Sequence, residues 1–301
     1  MAEKKSWSDK DWKNYASSNI TGKTTQQIYR ATGLNPQFDP KGITRESRDS
    51  ENYPESTPII IGLDVTGSMS RILNEVAQQL GDLVREILNR KPVSDPHIMF
   101  NAIGDSHGDD VPFQATQFEG DIRIAEQLTQ LYFERGGCGN GFESYPLAWY
   151  FAANHTSTDN YEKRGKKSFL FTMGDDGYPK YLYDAELESI FGDKIEAKNI
   201  SVEEVLTQVN RKYEVFHLCL KQGSTCTDRV INEWRELLGE RAIVVSDYTK
   251  IPQIIVSILE TMAGKSVDEV ADSWDGSTAV VVRDALKGLS VKQEKNALVE
   301  F

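Results

Sequence analysis

Short unbroken apolar runs alternate along this chain with longer segments whose apolar residues recur every three or four positions. Ile59-Ile60-Ile61-Gly62-Leu63 ends directly at Asp64, the pattern of a strand covered on both faces. Met69, Ile72, Leu73, Val76, Leu80, Leu83, Val84, Ile87 and Leu88 follow at helical spacing, which predicts one long amphipathic helix. Pro92 and Pro96 close it, since proline cannot continue a helix. The same rhythm predicts strands over 97–103, 168–173, 215–220 and 242–246, with an edge strand inside 111–118. Helices are predicted over 121–134, 144–154, 202–213, 228–238 and 251–262. Strands interleaved with helices give a Rossmann-like, doubly wound α/β domain over residues 57–265, its sheet mainly parallel with one antiparallel edge strand.

The flanks read differently. Residues 1–56 are polar and predict an extension with short helices near 8–17 and 23–32. Its stretch Arg45-Glu-Ser-Arg-Asp-Ser-Glu51 reads as a solvated connector, or else as part of an arm that wraps the domain or a neighbouring subunit. Residues 266–301 predict a helical tail of one or two helices with a polar end.

Composition narrows the class. Of 301 residues 39% are hydrophobic, enough for a proper core, and 27% are charged, as in ordinary water-soluble domains. No run approaches the ~18 apolar residues of a membrane span, and the first residues lack the apolar centre of a secretory signal. Three cysteines (Cys138, Cys219, Cys226) argue for a reducing compartment over a disulfide scaffold, so a cytoplasmic protein is expected. The formal net charge is −12 and no basic face is evident, which argues against a nucleic-acid partner.

Three segments fall beyond the carboxyl ends of predicted strands, where open α/β sheets bind ligands. They are Asp64-Val-Thr66-Gly-Ser68, the glycine-rich loop from Gly136 to Ser144, and Gly174-Asp175-Asp176. Each offers oxygen ligands and none offers His, which suits Mg²⁺, or Mn²⁺ or Ca²⁺, rather than zinc. In an extended turn, residues at i, i+2 and i+4 point the same way, so Asp64, Thr66 and Ser68 converge. More ordinary readings stand beside these: Asp64 as a cap for the following helix, Asp176 and Gly177 as turn residues, and Cys138 as an incidental small residue. The acidic loop from Gly104 to Asp110, after the second strand, could hold a further cation but reads rather as a solvated hairpin. Tyr145, Trp149, Tyr150 and Phe151 read as a helix face packed on the sheet, with one or two left exposed as a contact rim.

Asp64-x-Thr66-x-Ser68 resembles the DxSxS motif of the metal-ion-dependent adhesion site of von Willebrand factor A domains. Gly136-Gly137 before a helix resembles that family's second loop, and Phe171-Thr-Met-Gly-Asp175 its third. The likeness spans about residues 57–265, and the whole chain resembles the free-standing cytosolic A-domain proteins of bacteria and their phages. It implies a metal held by Asp64, Thr66, Ser68 and Asp175, the hydroxyls binding directly, with one position open to an acidic side chain of a partner protein. The family places a threonine after the glycine pair; this chain has Cys138-Gly-Asn140-Gly-Phe-Glu143-Ser144. Glu143 is the favoured substitute over Asn140 or Ser144, because a carboxylate binds Mg²⁺ better than an amide. The expected role is a non-catalytic adaptor or structural component, with an AAA+ ATPase or self-assembly as candidate partners. An alternative is an Mg²⁺-dependent phosphatase of haloacid-dehalogenase type, with Asp64 as nucleophile and Asp175 and Asp176 on the metal. Such enzymes want a general acid two residues after the nucleophile, where this chain has Thr66.

Overall fold

A computed structural model describes residues 7–133, 141–221 and 225–290. Six strands form the central sheet: β1 (Thr57–Asp64), β2 (Pro96–Ile103), β3 (Phe113–Ala115), β4 (Ser168–Gly174), β5 (Tyr213–Leu220) and β6 (Ala242–Val245), in the order β6-β5-β4-β1-β2-β3. Every pairing is parallel except β2 with β3 at the edge. The chain runs outward from β1 through β2 to β3, then returns to place β4 on the other flank of β1. That reversal opens a crevice beyond the carboxyl ends of β1 and β4.

Alternate residues of β1 feed two cores. Ile59, Ile61 and Leu63 pack with the long helix α2 (Ser70–Arg90) and with α6 (Ile251–Met262). Ile60 faces α3 (Pro146–Asn154), α4 (Val202–Val209) and α5 (Asp228–Leu238). Every residue of β1 is buried, which explains its unbroken apolar run. Burial of each such side chain is worth roughly 1.5–3 kcal/mol. Trp149, Tyr150 and Phe151 are all buried, so the contact rim expected there does not exist.

The N-terminal extension lies along the domain rather than standing free. Its helix α1 (Asp9–Asn19) carries Trp12 against Gly81 of α2. Further on, Phe38 accepts a backbone hydrogen bond from Ala115 of edge strand β3, and the buried Arg45 guanidinium donates to the carbonyl of the same Ala115 at 2.8 Å. Arg45–Ser47 pairs in parallel with Thr156–Thr158. The solvated connector read at 45–51 is thus a buried strand in part: Arg45 and Ser47 face inward. Mixed charges looked like solvation in sequence, but here they form ion pairs, with Arg48 on Asp159 at 3.0 Å and Arg164 on Asp49 at 2.8 Å. At the other end, two short helices (Val267–Asp272 and Gly276–Ala285) follow α6. Arg90 stacks on Trp274 at 3.6 Å and pairs with Glu260 at 3.1 Å.

Among the described residues no helix is long and apolar enough to cross a membrane.

Candidate functional site

Asp64 ends β1 in the crevice and is fully buried, at 0% exposure. The backbone N–H and the hydroxyl of Thr66 both donate to its Oδ1, at 2.9 and 2.6 Å. A single-turn 3-10 helix, Gly67–Met69, then leads into α2, whose cap position is Met69 without a side-chain cap bond. Asp64 is therefore no helix cap. Ser68 stands exposed on that turn and donates to Asp175 Oδ1 at 3.0 Å. The first and third loops thus meet through the Ser68 and Asp175 side chains.

Asp175 follows Gly174, the last residue of β4, and no larger residue fits at that glycine. A Cβ there would lie 1.9 Å from the Tyr145 hydroxyl and 2.7 Å from Asp64 Oδ2. The Tyr145 hydroxyl occupies that space because it donates to Asp64 Oδ2 at 2.8 Å. Both oxygens of Asp64 are thereby held by neutral donors from two different loops.

Of the second loop, Gly136, Gly137, Cys138 and Asn140 lie outside the described residues. Glu143 and Ser144 can be compared directly. Ser144 Oγ is 2.9 Å from Ser106 Oγ and accepts from Ser106 N at 3.0 Å, so it is committed to the neighbouring loop. Glu143 is 5% exposed and its Oε2 has no hydrogen-bond partner; the same holds for Oδ2 of Asp175, 1% exposed. The backbone N–H of Glu143 donates to Gly177 at 3.1 Å, which ties the second loop to the third.

The loop read as a solvated hairpin, Gly104 to Asp110, belongs to this cluster. Asp105 is fully buried, accepts from His107 N at 2.9 Å and donates its own N–H to Asp109 Oδ2 at 2.7 Å. Asp176 turns its backbone rather than its carboxylate to the core, its carbonyl accepting from Trp234 Nε1 at 3.0 Å.

The electrostatics follow from crowding carboxylates away from water. Burial, and then repulsion from Asp64, Asp105, Asp109 and Asp176, pushes the Glu143 carboxyl up to about 10. Burial pushes Asp64 up to about 7, with Asp175 adding repulsion and the Thr66 and Tyr145 hydrogen bonds pulling the other way. Among the described residues no three His, Cys, Asp or Glu side chains form a metal cage by themselves. The donor set is mixed: carboxylates with orphaned oxygens, plus the hydroxyls of Thr66 and Ser68. Such hard oxygens, with an excess of negative charge, suit Mg²⁺, Mn²⁺ or Ca²⁺ completed by water.

Two residues here were not among the site residues expected from the sequence. Asp105 follows β2 as Asp64 follows β1, so the carboxyl-end rule could have found it. Tyr145 had no such signal, because only the fold reveals where its hydroxyl points.

No protein-family model matches the chain, and no curated protein does. Among solved structures, the pilus adhesin SpaC from Lactobacillus rhamnosus GG is similar in shape in two crystal structures. One alignment covers 73% of this chain and 32% of that chain at 10% identity, with a TM-score of 0.48. The other, to the open conformation, covers 77% and 31% at 10% identity, with a TM-score of 0.46. The chain spans about a third of the length of those proteins. At this level the likeness identifies neither a family nor an activity.

Proposed function

We propose that this chain carries a von Willebrand factor A-type domain that binds a divalent cation, Mg²⁺ first among them, and through it an acidic side chain of a partner protein. The observation that carries the reading is the pair of buried carboxylate oxygens without partners, Glu143 Oε2 and Asp175 Oδ2, in a crevice shared with Asp64, Thr66 and Ser68. Unpaired buried acceptors are costly, and a cation satisfies several at once. The sequence resemblance of all three loops supports the same reading.

Thr66, Ser68, Asp175 and Glu143 would hold the ion, with Asp64 orienting Thr66. The bound cation would offer a coordination position in which an incoming carboxylate replaces water. Asp64 acts as an organiser here: its two oxygens bind Thr66 and Tyr145. When a cation displaces its proton, Glu143 in place of a neutral threonine adds negative charge, which holds the cation harder and lowers its pull on a second carboxylate. The partner therefore supplies additional contacts around the site. An adaptor role, with an ATPase or a further copy of the chain as partner, agrees with a site that lacks a free nucleophile at Asp64.

Isothermal titration tests the reading. Mg²⁺ or Mn²⁺ titrated into the wild type gives a saturable one-site isotherm, and Asp64→Ala gives none while its circular dichroism stays native. Equal binding by Asp64→Ala would overturn the proposal. Affinity capture of the same two proteins in Mg²⁺ and in EDTA then separates a cation-dependent partner from one held elsewhere.

A further inference from the structure

Beside the candidate cation site runs a groove of about 440 Å³ that nothing above employs. Val111, Pro112 and Ile190 form its half-buried apolar floor, and Leu34 of the N-terminal arm closes one side. Its rim is acidic: Asp39, Asp109, Asp110 and Glu186, against a single Lys41. Backbone and hydroxyl donors engage these carboxylates, and Glu186 also faces His107 Nε2 at 3.5 Å. Asp39 accepts from Lys41 N, Asp109 from Asp105 N, and Glu186 from Ser106 Oγ at 3.2 Å and Tyr183 N at 3.0 Å. Among the described residues no Lys or Arg side chain is paired with Asp39, Asp109 or Asp110. The rim thus keeps its negative charge beside an apolar floor. Ser106 lines the groove and touches Ser144, the neighbour of Glu143, so the groove lies next to the candidate cation site.

We infer that this groove is a docking surface for an extended protein segment in which lysine or arginine side chains flank an aliphatic one. The cations of such a segment would lie along Asp39, Asp109, Asp110 and Glu186 while its aliphatic side chain covers Val111 and Ile190. Charge complementarity selects this occupant: an acidic or purely apolar segment would leave the rim unpaired or repelled. That the segment belongs to the same partner that reaches the cation rests on the function proposed above; the groove's preference for a basic segment does not.

Fluorescence anisotropy tests the surface. The probe is a fluorescein-labelled lysine–leucine peptide, with a glutamate–leucine peptide of equal length as comparator, each titrated with the full chain in Mg²⁺ and in EDTA. Because the chain is acidic throughout, two charge-matched triple variants are compared. Asp39→Asn/Asp109→Asn/Asp110→Asn empties the rim, and Glu236→Gln/Glu269→Gln/Asp284→Asn removes the same charge from distant exposed helix positions. The expected result is about tenfold weaker binding of the basic peptide by the rim variant, a change under about twofold in the distant variant, and no binding of the acidic peptide. Ile190→Ser, which leaves every charge in place, weakens binding as well. Equal losses in both triple variants, or none in the rim variant, would overturn the inference. Retention of this pattern in EDTA, with no cation isotherm in the titration above, would sink the metal reading and leave the groove standing.

Discussion

Tyr145 shows how one hydroxyl can organise a site that sequence spacing only outlines. Its ring packs edge-on against His217 and Trp234, while its hydroxyl reaches Asp64 Oδ2 at 2.8 Å. Tyr145→Phe keeps the ring and removes that one donor. Losing the donor to a buried carboxylate costs about 1–3 kcal/mol, so denaturant unfolding in EDTA should show a loss of that order. Mg²⁺ affinity should fall as well, since Asp64 is then free to rotate away from Thr66. Unchanged affinity in the titration would mean that Tyr145 supports the fold alone. Asp64, Thr66, Ser68 and Asp175 were legible because strand ends and alternate spacing are local properties of the chain. Asp105 was legible only as part of an acidic loop beyond a strand end, which looks the same in sequence whether it holds a cation or turns in water. Tyr145 was not legible, because an aromatic helix face looks alike in sequence whether or not the fold turns a hydroxyl toward a cavity.

At the scale of elements, the arm is the feature that the polar pattern concealed. Strand β1 and helix α2 announce themselves because each is long and buries a regular stripe of its own. The arm's anchors are single residues separated by polar ones: Trp12, Ile20, Tyr29 and Phe38, all buried. No short period links them, so the segment reads as a polar extension with short helices, and its wrapping of the domain stands only as a second reading. The same limit hid the helix Asp184–Phe191 and the antiparallel pair of strands Tyr181–Tyr183 and Asn199–Ser201 that flank it, each too short to show a period. The arm also covers β3, an edge strand that would otherwise present free backbone groups. Gly81 is where the arm meets α2, and a Cβ there would come within 2.1 Å of Trp12 Nε1. In an isolated helix Gly→Ala gains about 1 kcal/mol. At this contact overpacking costs roughly 1–3 kcal/mol and wins unless Trp12 moves away. Gly81→Ala should therefore speed proteolytic cleavage within residues 9–33 while the central domain survives. Cleavage as slow as in the wild type would show that Trp12 accommodates the methyl and does not hold the arm.

Across the whole molecule, the arm and body are joined by charge as well as by packing, and this makes their union acid-labile. Arg164, with Ser56 and Lys163, holds the Asp49 carboxyl well below the usual range although partial burial opposes it. Burial pushes Asp159 up, but Lys163, the Asp49 N–H and Arg48 outweigh it and leave it lowered; Ser157 and Arg48 lower Glu162. A carboxyl lowered in the folded state contributes stability that is complete above its unfolded value, near 4, and lost as pH falls through the folded value. The raised carboxyls Asp64, Glu143, Asp109, Glu119 and Asp176 do not offset this below about pH 4, because they are protonated in both states there. The acid limb therefore belongs to the arm's ion pairs. Asp49→Asn should cost about 1–3 kcal/mol at pH 7, for loss of charge-assisted hydrogen bonds. That is several degrees in Tm, at roughly 2–4 °C per kcal/mol for a domain of this size. Between pH 4 and pH 2 the wild type should fall toward the variant and the gap should narrow. A gap of constant width down to pH 2 would mean that Asp49 acts through shape and hydrogen bonding, with its charge contributing nothing to holding the arm.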